Sequence, residues 1–476
     1  MSTTVVDNRP HVLVFPYPAQ GHSLVLLDLT HQLSLRNIVI TILVTPKNLP
    51  ALDPLLAAHQ TIKTLVLPMP PHPKLPPGIE NLRDIGISKN MAMVKAMSKL
   101  HNPIIQWFES HPNPPVAIIS DVFLGWTQTL ADQINVRRIC FFPNRVAVAS
   151  VFDYCWRNID AVSASKVVDF HDQLPDSPSF KHEHLPNIIR RYDGSDPEWL
   201  NVRDILVANS SSWGIVFNTF EALEGRFLDH LRKKMGHHRI YGVGPLNLLS
   251  IPESSDRGKP DKDFHAAAGG VDVLGWLEGC ADDSVLYVCF GSQKFLKREQ
   301  MKALASGLEQ SKTKFIWVVK TGTTEIEMEQ GYGVVPNGFE ERIQGRGLVV
   351  RTWVPQLMIL NHRAVWGFLS YSGWNSLMEG ITAGVMLLIW PMEADHYINA
   401  KLLEEEMGVA IKVCEGDDGV PDSAELGKVI DESMRNVDGP QRVKVKELRD
   451  KTFQAVSDGG PSRKDLDELV KELRLL

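Results

Sequence analysis

A histidine that follows an apolar run and opens a helix suits general-base work. The helix N-terminus favours the neutral imidazole, and an ordinary pKa of about 6.5 suits proton abstraction near neutrality. His22 stands in such a place, in "PAQGHS" just after "HVLVFPYP". Asp121 ends the run "VAIISD", in front of the helix-like "VFLGWTQTLADQ". If the two runs are adjacent strands of one parallel sheet, His22 and Asp121 emerge on the same rim. There the carboxylate can fix the imidazole tautomer and stabilise its protonated form. This is triad logic without a protein nucleophile, so the group deprotonated would be a substrate hydroxyl. A capping or solvated histidine is the other reading of His22.

Two further places carry chemistry. In "SGWNSLMEG" a glycine turn leads from an apolar strand into a helix, so the backbone N–H groups of Gly373, Trp374 and Asn375 and the hydroxyl of Ser376 form an anion site suited to a phosphate. Turns of this kind are common, and alone this one is a weak signal. After "GVMLLIWP" come Asp395 and His396, a carboxylate beside an imidazole. A carboxylate there also suits a helix start, where it satisfies free N–H groups. Neither GxGxxG nor GxxxxGK[ST] is present, which removes the usual warrant for nicotinamide or P-loop binding. "HEH" (182–184) and "HH" (237–238) lack a spacing that converges on zinc, and a metal-free mechanism without cofactor is expected.

These residues need strands to hold them, and the chain supplies two series. The first runs through "HVLVFPYP", "IVITILVT" (38–45), "VAIISD" (116–121), "RRICFFP" (137–143) and "GIVFNTF" (214–220). The second runs through "SVLYVCFGS" (284–292), "KFIWVVK" (314–320), "GLVVRTWVP" (347–355), "AVWGFLSYS" (364–372) and "GVMLLIWP" (384–391). Between them lies a polar stretch rich in Gly, Pro and Ser. The expected division is an N-terminal domain 1–247, a linker 248–270, a C-terminal domain 271–455 and a closing helix 456–476 that packs back on the first domain. An α/β protein with two parallel sheets around one cleft follows, with ligands at the carboxyl ends of the strands.

With 476 residues, 43% hydrophobic and 22% charged, the chain reads as globular with two cores. A net charge of −7 without a long basic run offers nothing for nucleic acid, and no run reaches the length of a membrane span. Five cysteines without paired CxxC spacing read as reduced thiols of a cytoplasmic protein.

From Trp353 to His396 the sequence "WVPQLMILNHRAVWGFLSYSGWNSLMEGITAGVMLLIWPMEADH" resembles the signature box of plant UDP-dependent glycosyltransferases of small molecules (glycosyltransferase family 1). "FPYPAQGH", "LPPGIEN", "SDVFLGWTQ", "VGPL", "YVCFGS" and "FIWVV" extend the likeness over nearly the whole chain. "LVTPKN", "HRAVWG" and "GVMLLIWPMEADH" look most like the flavonol 7-O-rhamnosyltransferase branch. The resemblance implies the GT-B arrangement of two Rossmann-like domains and an inverting reaction. It implies that Trp353 stacks on uracil while Val354 reads its edge. Gln356 and Glu379 would hold the ribose, Ser292, Asn375 and Ser376 the diphosphate, and Asp395 and His396 the sugar. His22 and Asp121 match the family's catalytic dyad. Tyr17, Phe123, Phe142 and Asn144 are the candidates for contact with the acceptor.

Three positions depart from the family pattern. His396 stands where glucosyltransferases usually have glutamine, Tyr371 where a phosphate-binding histidine is usual, and Val25 where proline is usual. The expected activity is transfer of a sugar, rhamnose first, from a UDP-sugar to a phenolic hydroxyl of a flavonoid-like acceptor, by a monomer whose partners are small molecules. UDP-glucose, UDP-galactose or UDP-xylose are the alternative donors. A non-catalytic binding protein for UDP-sugars or phenols is the rival from another class.

Overall fold

A computed structural model describes residues 9–85, 89–171, 173–175, 178–250, 272–291, 294–320, 331–352, 354–436 and 439–476. The chain forms two compact units. Met1–His182, Arg191–Pro252 and Gln454–Leu476 make one, and Glu183–Arg190 with Glu253–Phe453 make the other.

The first unit is built on strands β1 (His11–Phe15), β2 (Val39–Val44), β3 (Lys63–Val66), β4 (Ala117–Asp121) and β5 (Arg137–Phe142), followed by a small antiparallel pair, β6 (Val167–Asp169) with β7 (Ser179–Lys181), and then by β8 (Gly214–Phe217) and β9 (Ile240–Gly242). Its seven-stranded sheet has the order β3-β2-β1-β4-β5-β8-β9, with every pairing parallel. Both faces are covered. Val12 and Val14 of β1 join a cluster with Leu26, Leu29 and Ile42, while Leu13 and Phe15 point the other way, among Met93, Met97 and Leu130. A strand buried on both sides has no polar face, so it reads in sequence as a continuous apolar run. Helix Pro461–Arg474 closes the β9 edge. Leu466, Leu469 and Leu473 enter the Val12 cluster, and Asp465 Oδ2 accepts from the Gly242 amide at 2.7 Å.

The second unit carries β10 (Val285–Cys289), β11 (Lys314–Val318), β12 (Gly347–Val350), β13 (Val365–Ser370), β14 (Met386–Ile389) and β15 (Ala410–Lys412), in the order β12-β11-β10-β13-β14-β15, all parallel. A segment from the first half of the sequence belongs here. In it the His184 ring stacks on Tyr397 at 4.4 Å, and Asn187 Nδ2 donates to Glu393 Oε2 at 3.4 Å. All ten strands expected from the apolar runs are present. β3, β9 and β15 are sheet edges that do not register as runs: β3 is largely exposed, and β9 and β15 have three residues each.

Candidate active site

In the first unit the site grows from two neighbouring strand ends. β1 pairs with β4 in parallel, Phe15 opposite Ser120, so the chain leaving β1 and the last residue of β4 come out on one rim. Helix Gln20–Leu35 begins there, with His22 in its first turn and the His22 amide bonded to the Ala19 carbonyl at 2.9 Å. His22 Nδ1 donates to Asp121 Oδ2 at 2.8 Å. The other carboxylate oxygen accepts from the Phe123 amide at 2.9 Å, so the carboxylate is held from both sides. The Asp121 side chain is fully buried, whereas that of His22 is 24% exposed, which makes the imidazole the member a ligand can reach. Its Nε2 has no hydrogen bond among the described residues. A carboxylate on Nδ1–H leaves the Nε2 lone pair free to take a proton.

Tyr17, Phe123 and His22 pack ring against ring, at 5.0 Å between Tyr17 and Phe123 and 5.1 Å between Phe123 and His22. Tyr17 is fully buried, and its hydroxyl donates to the Asn90 side chain, so it supports Phe123 and His22 from behind. Burial and the Asp121 charge push its hydroxyl pKa well up, so the group stays neutral. Phe142 stacks on Phe217 at 5.2 Å. The Asn144 Oδ1 accepts from the Arg145 amide at 2.8 Å, and Arg145 forms a buried ion pair with Glu224 at 2.8 Å.

In the second unit β10, β13 and β14 are neighbours, so the loops after them meet. Ser292 and Trp353 lie outside the described residues, and Val354 beside Trp353 is buried. After β13 the chain passes Tyr371 and Ser372, reaches Gly373 as the N-cap, and enters helix Trp374–Ala383. Trp374, Asn375 and Ser376 fill the first turn, with no acidic side chain there to oppose an anion. Gln356 ties the region together. Its amide donates to Ser376 Oγ at 3.2 Å and to Glu379 Oε2 at 2.8 Å, and its carbonyl oxygen accepts from Tyr287 Oη at 3.3 Å.

Tyr371 lies over two glycines. A Cβ added at Gly291 would stand 2.5 Å from its hydroxyl, and one at Gly373 would stand 2.9 Å away. Gly291 also has φ +72°, so both its backbone and the phenol require glycine. The ring meets His396 edge-on at 4.5 Å. Asp395 occupies the N-cap position of helix His396–Lys401 but its side chain makes no capping bond; its Oδ2 accepts from the Asn399 side-chain Nδ2. His396 Nδ1 accepts from the Glu393 amide at 3.2 Å, which places the proton on Nε2. Burial pushes the His396 pKa below its usual value, so the ring is a neutral donor. Two non-glycine residues here have left-handed backbones, Ser372 at φ +74° and Ala394 at φ +52°. Each costs about 1–2 kcal/mol, a strain typical of functional loops.

Gly291, Tyr287 and Glu393 have parts in these networks that the motifs did not reveal. Gly291, directly after a strand in "CFGS", was the most legible of them. Among the described residues one trio could close on a cation. His238, Glu468 and Glu472 have ligand atoms within 4.8 Å of one another beside the amino end of β9, away from the rim that bears His22. The spacing of "HH" (237–238) could not reveal this, because the carboxylates come from a distant helix. Lys471 already bonds both Glu468 oxygens, at 2.9 and 3.0 Å. No helix among the described residues is long and apolar enough to cross a membrane.

The family described as UDP-glucoronosyl and UDP-glucosyl transferase matches residues 270–430. The chain is 47% identical to UDP-glycosyltransferase 89A2 of Arabidopsis thaliana, over 97% of this chain and 96% of that one. It is 42% identical to the flavonol 3-O-glucosyltransferase UGT89B1 of the same plant, over 99% and 98%. Crystal structures of Arabidopsis thaliana UGT89C1 superpose at 37% identity. The complex with UDP-L-rhamnose gives a TM-score of 0.79 over 98% of this chain and 99% of that one, and the complex with quercetin gives 0.77 over 98% and 100%. The two parallel Rossmann-like sheets are thus those of GT-B glycosyltransferases, enzymes that take their sugar from an activated donor. The chain belongs to the plant UDP-glycosyltransferase family.

Proposed function

We propose that this enzyme is an inverting O-glycosyltransferase that moves a sugar, rhamnose first, from a UDP-sugar to a phenolic hydroxyl of a flavonoid-like acceptor. The observation that carries the reading is the His22–Asp121 pair at 2.8 Å, with the carboxylate buried and the imidazole reachable. His22 Nε2 takes the phenol proton as the oxygen forms its bond to the anomeric carbon. The bond from that carbon to the UDP oxygen breaks, and UDP leaves with the electron pair. Asp121 stabilises the imidazolium, and attack opposite the leaving group inverts the centre. A phenol is acidic enough for a histidine base, so the step needs no metal.

In the second unit the N-terminus of helix Trp374–Ala383 holds the diphosphate, with Gly373, Asn375, Ser376, Ser292 and the Tyr371 hydroxyl around it. Trp353 and Val354 hold the base, Gln356 and Glu379 the ribose, and Asp395 and His396 the sugar. Phe123, Phe142 and Asn144 bear on the acceptor. His396 supports rhamnose as the first donor. As a neutral ring with its proton on Nε2 it gives one hydrogen bond, where glutamine would give a donor and an acceptor together. A 6-deoxyhexose makes fewer polar demands than glucose, and UGT89C1 was crystallised with UDP-L-rhamnose. UDP-glucose is the second reading, favoured by the likeness to a flavonol 3-O-glucosyltransferase. The five unpaired cysteines fit a reducing compartment, the cytoplasm.

The test is incubation with quercetin and, separately, UDP-rhamnose, UDP-glucose, UDP-galactose and UDP-xylose, followed by free UDP and product mass. A deoxyhexosyl product formed fastest from UDP-rhamnose is expected. UDP binding without product from any donor would replace the proposal with a binding protein.

A further inference from the structure

Arg138 lies in β5, opposite Ile118 of β4, with its side chain fully buried. Its guanidinium meets only neutral acceptors. Nε donates to Ser120 Oγ at 2.9 Å and Thr127 Oγ1 at 2.8 Å, Nη1 to Ser212 Oγ at 2.8 Å, and Nη2 to Asn209 Oδ1 at 2.9 Å. Nη2 also reaches the Asp121 carbonyl at 3.5 Å. A buried cation without a bonded carboxylate is costly unless a charge nearby offsets it. Two other ionisable groups act on it, Cys140 and Asp121. The Cys140 thiol is pushed up to about 12 by burial and is neutral. The Tyr17 hydroxyl, also within the field of Asp121, is neutral as well. Asp121 is therefore the counter-charge of Arg138 while it is the hydrogen-bond partner of His22.

Resting on the proposed role of His22 as base, we infer that Arg138 is a positioning residue for the reaction: its buried charge, set beside Asp121 in the neighbouring strand, opposes proton uptake by the Asp121–His22 pair. At rest Arg138 and Asp121 cancel. Once His22 takes a proton, the trio carries one net positive charge, two of its three members being buried. Without Arg138 the protonated pair would be neutral overall, and the base would fill with solvent protons at a higher pH. The direction of that change does not depend on which member of the pair holds the proton, because removing a cation favours proton uptake at either site.

The experiment is an NMR titration of protein labelled at histidine 13Cε1, with His22→Ala assigning the resonance, beside the pH–rate profile of transfer. In Arg138→Gln the His22 midpoint is expected to rise by about one pH unit, and the acid limb of the rate profile to move the same way. Arg138→Lys, which keeps the charge, should leave both in place even if thermal stability falls. Asn209→Asp sets a carboxylate on the guanidinium and should also raise the midpoint, which carries the test if Arg138→Gln does not fold. A folded Arg138→Gln or Asn209→Asp protein with an unmoved or lowered midpoint overturns the inference and leaves Arg138 a structural residue. The NMR reading needs no turnover. If His22→Ala transferred sugar normally, the proposed mechanism would fall, while the electrostatic link would be judged by the titration alone.

Discussion

Tyr371→Phe removes one oxygen from the mouth of helix Trp374–Ala383 and leaves the ring that meets His396 edge-on at 4.5 Å. The hydroxyl lies against the backbones of Gly291 and Gly373, at the place proposed for the diphosphate. Burial, with the charges of Asp395, Glu393 and Glu379, drives its pKa above the usual value of 10, so it is a neutral donor at every working pH. Among the described residues it has no hydrogen-bond partner, so its proton is available to a ligand. A hydrogen bond to a charged group contributes about 1.5–3 kcal/mol, and water entering the space left by the oxygen recovers part of that. The expected loss of UDP affinity is about 1–1.5 kcal/mol, or roughly 5–13-fold in Kd. Calorimetry of UDP binding reads this directly. As a second arm, Gly291→Ala puts a Cβ 2.5 Å from the same hydroxyl on a backbone with φ +72°, and should weaken UDP at least as much. Equal affinities of wild type and Tyr371→Phe would refute the reasoning. The phenol would then pack against His396 only, and the helix N-terminus would hold the phosphates alone.

His22→Ala should lower turnover by roughly 100-fold or more with UDP affinity nearly unchanged, since general-base catalysis contributes about 10²–10⁴. Asp121→Asn should do less damage, and initial rates beside calorimetry check both. His396→Gln replaces a lone donor by a donor and an acceptor, and should raise the use of UDP-glucose relative to UDP-rhamnose in a donor competition; an unchanged ratio would place selectivity on other residues. His31 Nδ1 and His59 Nε2 stand 2.6 Å apart, and burial, aided by His59, lowers the His31 pKa to about 4. Below about pH 6.5 the unfolded chain binds a proton there that the folded chain refuses until about pH 4, so stability is full above that window and falls as pH drops through it. Melting temperature against pH should show the fall, and His31→Asn should flatten it. An equally steep slope in the variant would assign the acid sensitivity to other groups.

The ten strands were legible because burial leaves an apolar run, and a continuous run of that kind bounded by turn residues has few other readings. The His22–Asp121 pair was legible for a related reason. Each residue follows the end of such a run, so assuming only that β1 and β4 are parallel neighbours puts both on one rim. Arg138 and Glu224 could not be read that way. The nearest acceptors in sequence for Arg138 are Ser120 and Thr127, but Asn209 and Ser212 lie beyond position 200, and Glu224 meets Arg145 across 79 residues. A signal for Arg138 did exist. It shares the alternation of "RRICFFP" with Cys140 and Phe142, so once β5 is taken as a central strand, its charge has to be buried as well. A charge in phase with the core of a central strand needs a counter-charge inside the protein, and the run beside it ends in the carboxylate Asp121. The same pattern that hid Arg138 as an ordinary polar residue thus joins it to the site. A buried cation in the strand beside a carboxylate at a strand end can be sought wherever the strand order is known.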